Sequence, residues 1–210
     1  EPLGAGDALP DYTFTNELGQ AVTFQQFKGQ VLAMTFFFTR CPFPTFCPKL
    51  AANFAEVQAR LKAQRDLKDW HLFTLSFDPE TDTPATLRAY AERYGYDPAR
   101  WSFLTGTMLD IAAITEQCGV QYWRSEPGQP FSHNLQTVVV DRDGKIFKSQ
   151  QPSNHADPSS GATLPKGSAS RAMSRARDAN SGSRARRALS RRLRSASPTG
   201  PPPSSNSSPG

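Results

Sequence analysis

Cys41 and Cys47 close the two ends of Cys-Pro-Phe-Pro-Thr-Phe-Cys, and Pro48 follows at once. A six-residue step on a straight helix of about 3.6 residues per turn points the second side chain well away from the first. The two thiols meet only if Cys41 lies in a loop and Cys47 opens a helix, which Pro42, Pro44 and Pro48 permit. The partial positive charge of a helix N-terminus favours thiolate over thiol, and the thiolate is both the nucleophile and the metal ligand. Two thiolates in a flexible loop suit a soft ion such as Cu(I), and an added imidazole would let the same site hold Cu(II).

Three histidines are available. His155 lies in a polar tail and His71 at the start of an apolar run, whereas His133, in Phe131-Ser-His-Asn134, stands just before a predicted strand where loops converge. His133 is therefore the candidate third ligand, with a purely structural histidine as the alternative. For the cysteines the alternatives are inert burial and a simple disulfide. Flanking a Pro-rich loop speaks for a reactive pair over packing, and a disulfide would be a redox state of the same site. Cys118 ends a predicted helix with no second ligand nearby and reads as a buried hydrophobe. Asp78 and Asp82, in Asp-Pro-Glu-Thr-Asp-Thr-Pro, read as turn and capping residues, since carboxylates are poor partners for Cu(I).

The elements that must position these groups alternate. Leu9 to Phe14 and Ala21 to Phe24 predict a hairpin around a polar turn with Gly19. Val31 to Phe38 is a nearly unbroken apolar run, as in a strand covered on both faces. From Pro48 onward Leu50, Phe54, Val57 and Leu61 recur at helical spacing. Trp70 to Phe77 predicts a second strand, and Thr83 with Pro84 predicts the cap and first position of a helix stopped by Gly95. Trp101 to Leu104 reads as a strand, Met108 to Cys118 as a helix closed by Gly119, and Leu135 to Val140 as a strand. Asp141 to Gly144 is turn chemistry leading into Lys145 to Lys148. This alternation predicts an α/β domain whose mixed sheet lies between helices.

Composition divides the 210 residues. Residues 1–151 hold 14 Lys plus Arg against 17 Asp plus Glu and every Trp, Tyr and Phe, whereas residues 152–210 hold 10 against 2 and no aromatic, Val or Ile. The expected organisation is one folded domain over 1–151 and a disordered, basic Ser/Pro/Arg-rich tail over 152–210. The run Arg184 to Arg194 lacks aromatic interleaving and reads as a solvated tail rather than an arm for nucleic acid or acidic lipid. No stretch of about 20 apolar residues is present, so no spanning helix is expected. The chain opens at Glu1, which suggests a processed product or fragment with any signal or anchor upstream. An odd count of three cysteines argues against a disulfide scaffold.

The order of features, an apolar strand, a Cys-Pro…Cys-Pro loop, a helix, a strand ending in Asp78-Pro-x-x-Asp82-Thr-Pro84, then a lone His133 before the last hairpin, resembles the Sco/SenC/PrrC family from about Leu9 to Phe147. The resemblance implies a thioredoxin-like fold and a copper-binding metallochaperone that serves assembly of the CuA centre of cytochrome c oxidase. It implies copper held by Cys41, Cys47 and His133, an extracytoplasmic setting anchored by a segment outside this chain, and the oxidase's copper-bearing subunit or another copper protein as partner. The competing function is a thiol-disulfide oxidoreductase in which Cys41 and Cys47 reduce a partner's cysteines. Two departures from the family pattern are visible. Five residues rather than three separate the cysteines. The chain also turns Ser/Pro/Arg-rich from about Gln150, where the family has a closing helix; this reads as a frame-shifted end and predicts an under-covered sheet face.

Overall fold

Parallel strands built from continuous apolar runs need cover on both faces, and three such runs sit at the centre of the sheet. The computed structural model describes residues 1–150 and 169–178. Its main strands are β1 (Phe14–Asn16), β2 (Ala21–Val22), β3 (Val31–Phe37), β4 (Trp70–Ser76) and β5 (Trp101–Thr105). A short ribbon of β6 (Tyr122–Trp123) and β7 (Ser132–His133) follows, then β8 (Thr137–Val140) and β9 (Ile146–Gln150). The helices are α1 (Cys47–Ala63), α2 (Pro84–Glu92), α3 (Met108–Gln117) and α4 (residues 169–178). The seven-stranded sheet runs β2-β1-β5-β4-β3-β8-β9, while β6 and β7 pair separately. β3, β4 and β5 are parallel; β1 and β8 join antiparallel on either side. The sheet is thus mixed and flanked by helices, as expected.

Each face has its own aromatic layer. Phe37, Trp101 and Phe103 meet Tyr90 of α2 and Phe54 of α1 on one side. His71 and Phe73 meet Phe24 and Phe27 of a single 3-10 turn on the other. Thr83 caps α2 by accepting from the Thr86 amide, and Pro84 occupies its first turn. The N-terminal hairpin is shorter than predicted. Leu9 to Thr13 is not strand; Leu9 instead donates its amide to Gly144, and pairing begins at Phe14. The turn expected at Gly19 is present, with the glycine at φ 77°.

The tail expectation needs correction at one place. Residues 169–178 are helical, with Ala169, Ala172, Met173 and Ala176 buried in the main core. Ser174 donates to Gln64 and Arg177 to the Asp66 carbonyl, which docks α4 at the far end of α1. A closing helix is therefore present after all. Its stripe uses alanine and one methionine at helical spacing in place of large side chains. The remaining residues of the expected tail, His155 among them, lie outside the described residues.

Candidate functional site

β3 and β4 are parallel, so the loops that follow them leave from the same edge of the sheet. After β3 come Thr39, Arg40 and Cys41; after β4 come Asp78 to Asp82. Asp82 is fully buried and collects the Thr39 amide at 3.0 Å, the Thr39 hydroxyl and the Ser76 hydroxyl at 2.5 Å. Asp78 pairs with Arg40 at 3.1 Å, and Arg40 also donates to Thr81. The two aspartates thus tie down both residues that precede Cys41. Burial raises the Asp82 pKa, against the opposing hydroxyl and amide donors. The sequence reading as turn residues missed this clamp, although Thr39-Arg40 directly before the first cysteine was a usable signal.

Cys47 is the first residue of α1, ahead of Pro48, as expected. It is 1 % exposed, whereas Cys41 is half-buried. His133 lies in the β6–β7 ribbon, an element not anticipated from the sequence, with Tyr122 opposite it. Tyr122 stacks on Phe77, the residue after β4, at 4.7 Å between centroids, and so pins the ribbon to the same sheet edge as the cysteines. The His133 Nδ1–H donates to the Asn134 carbonyl at 2.8 Å. That bond makes Nδ1 the donor to the backbone and turns Nε2 toward Cys47 Sγ at 3.3 Å. Cys41 Sγ, Cys47 Sγ and a His133 ring nitrogen all lie within 4.8 Å of one another. The three residues singled out from the sequence are therefore brought together, while His71 is buried elsewhere against Ser102 and Cys118 is buried with its thiol pushed up to about 12.

The two thiols are not equivalent. The helix N-terminus was expected to favour the thiolate form at Cys47. Burial instead raises Cys47, and the nearby Cys41 raises it further. Cys41 is lowered, to about 4, first by the hydrogen bond from the Cys47 thiol and then by His133, with burial opposing. Of the two thiols, Cys41 is therefore the more readily ionised. Two sulfurs and an imidazole nitrogen facing one another form a donor set suited to a soft or borderline metal ion.

The SCO1/SenC family model matches residues 1–162. The chain belongs to the SCO1/SenC family. The SCO1 protein homolog of Bacillus subtilis (strain 168) is 37 % identical to this SCO1/SenC chain over 139 residues, 65 % of it and 70 % of the relative. Among solved structures, a SCO1/SenC family lipoprotein from Bacillus anthracis superposes with a TM-score of 0.68 at 28 % identity, covering 83 % of this chain and 96 % of that one. BsSco, described as a member of the Sco family of cytochrome c oxidase assembly proteins, gives 0.65 at 25 % identity, covering 84 % and 98 %. Bradyrhizobium japonicum ScoI with copper bound gives 0.58 at 26 % identity, covering 76 % and 96 %. The thioredoxin-like reading of the mixed sheet agrees with these likenesses.

Proposed function

We propose that this SCO1/SenC protein is a copper metallochaperone that delivers its ion to the copper-bearing subunit of cytochrome c oxidase for assembly of the CuA centre. Copper is its cargo. Cys41 and Cys47 hold the ion through their sulfurs and His133 completes the site through Nε2. Binding displaces any proton still on the two thiols, and transfer proceeds by ligand exchange: each bond from copper to an acceptor ligand replaces one to Cys41, Cys47 or His133, with no electron transfer required.

The observation that carries this reading is the convergence of Cys41, Cys47 and His133 with Nε2 turned toward the sulfurs. Thiol exchange needs only the cysteines, so the oriented imidazole favours metal over a thiol-disulfide oxidoreductase. The copper-bound Bradyrhizobium relative and the oxidase-assembly role stated for BsSco support it. We place the protein outside the cytoplasm at the outer face of the cytoplasmic membrane, in keeping with its lipoprotein relative. No helix among the described residues is long and apolar enough to cross a membrane. The unit carrying the function comprises residues 1–151 with α4 docked on them.

Copper stoichiometry on the reduced protein under anaerobic conditions, against a Cu(I) chelator, tests the reading. The expected result is one copper per chain, with Cys41→Ala, Cys47→Ala and His133→Ala each weakening the site at least about tenfold. A wild type that holds no more copper than the cysteine variants would overturn it.

A further inference from the structure

Four aromatic rings belong to the surroundings of His133, and they are not equivalent. Phe38 and Phe77, at 5.7 and 5.2 Å between centroids, are buried and close the inner side. Phe46, at 6.1 Å and edge-on, is only partly buried. Phe43 packs on Phe46 at 5.7 Å and is itself 53 % exposed. The wall facing solvent is thus built from the Cys41–Cys47 loop itself. The five-residue spacing allows it: the Phe46 amide donates to the Phe43 carbonyl at 3.0 Å, folding the loop into a turn. The same carbonyl faces Cys41 Sγ at 3.8 Å. The Phe46 carbonyl then accepts from the Leu50 amide and starts α1.

Cys47 has almost no exposure while His133 is partly exposed, and Phe46, the residue directly before Cys47, lies against the imidazole on the side where an incoming ion or acceptor ligand would reach the second sulfur. We propose that Phe46, braced by Phe43, is a gate over the Cys41–Cys47–His133 site, setting how fast ligands exchange there and leaving equilibrium affinity nearly unchanged. Phe46 touches the His133 ring edge-on and supplies no donor atom, so opening the gate removes a barrier without removing a metal ligand. Phe43, exposed on the outside of Phe46, is the part of the gate within a docking protein's reach, and displacing it would release Phe46.

The copper arm of the test rests on the metallochaperone reading; the thiol arm does not. In the metal-free, reduced protein, alkylation by a bulky maleimide and by iodoacetamide is timed and mapped for the wild type, Phe46→Ala and Phe43→Ala. Loss of the gate is expected to raise the maleimide rate at Cys47, the thiol behind the wall, about tenfold in Phe46→Ala and less in Phe43→Ala, with a smaller gain for iodoacetamide and little change at half-buried Cys41. In the copper arm, stopped-flow transfer of Cu(I) to a chelator is expected to speed up about tenfold in Phe46→Ala while the competition equilibrium shifts less than about threefold. Unchanged rates in both variants, or an affinity loss that matches the rate gain, would overturn the gate. Phe43 is exposed, so Phe43→Ala remains informative if Phe46→Ala fails to fold. A wild type that takes up no copper would remove the metallochaperone reading and leave the gate to be decided by the alkylation rates.

Discussion

Cys41 and Cys47 are chemically identical and sit in one short loop, yet burial makes them unequal. Cys41 is the group lowered to about 4, whereas Cys47 and Cys118 are raised by burial. Only the thiolate attacks an alkylating agent, so the reaction follows the ionised fraction. Cys41 is expected to label at a nearly constant rate from about pH 8 down to about pH 5, slowing only as pH approaches its own pKa. Cys118 should stay unlabelled throughout. Mass-mapped iodoacetamide labelling checks this, and preferential labelling of Cys47 at low pH would sink it. That Cys41, Cys47 and His133 would come together was legible because sulfur and imidazole are rare and their chemistry is specific. Which thiol ionises was not, because helix position and desolvation act in opposite directions at Cys47, and only the fold reveals that desolvation is the larger effect. The Asp82 clamp on Thr39 was hidden for a similar reason: a carboxylate four residues after Asp78 looks like turn chemistry until the parallel pairing of β3 and β4 brings their following loops together.

Elements with strong periodicity were the readable ones. β3, β4, α1 and α2 announce themselves through apolar runs, helical spacing and a Thr-Pro cap, and long elements average out local ambiguity. The β6–β7 ribbon has two residues per strand, too short for any alternation to register, yet it positions His133. α4 was missed for a different reason. Its buried face is Ala169, Ala172, Met173 and Ala176, a stripe that a search for large apolar groups passes over in a Ser/Arg-rich setting. Met173 has no exposure and is the largest apolar side chain that α4 contributes to the core. Removing a buried methionine side chain costs roughly 2–5 kcal/mol, depending on how far the site collapses. Met173→Ala is therefore expected to destabilise the protein by about 2–3 kcal/mol in urea unfolding, the low end because a short terminal helix can readjust. A loss below about 0.5 kcal/mol would show that α4 contributes little to the folded unit.

At the scale of the molecule, the site occupies one edge of the sheet while a separate electrostatic cost of acidification lies inside the β3–β5 layer. His71 is buried on β4 between Phe27 and Phe73, with its Nε2 2.8 Å from the Ser102 hydroxyl. Burial lowers its pKa to about 3, and Arg100 adds to the shift while Asp97 opposes it. The unfolded chain titrates near the ordinary value of 6.5. Above that value both states are neutral and His71 adds no pH dependence. Below it the unfolded state takes up a proton that the folded state refuses, so the stability contributed by neutral His71 is lost as pH falls toward 3. Each pH unit in that window corresponds to at most about 1.4 kcal/mol, or about 2 kcal/mol between pH 6.5 and about pH 5. Glu17 and Asp82, raised by burial, and Asp97, lowered by Lys62, also move stability on acidification. Comparing the wild type with His71→Gln cancels their contributions, because the glutamine leaves those carboxylates in place. The wild type is expected to lose about 2 kcal/mol more than His71→Gln over that interval in urea unfolding. Parallel losses in the two proteins would mean that the imidazole accepts its proton inside the folded sheet, and that the Phe27–Phe73 layer admits water around it.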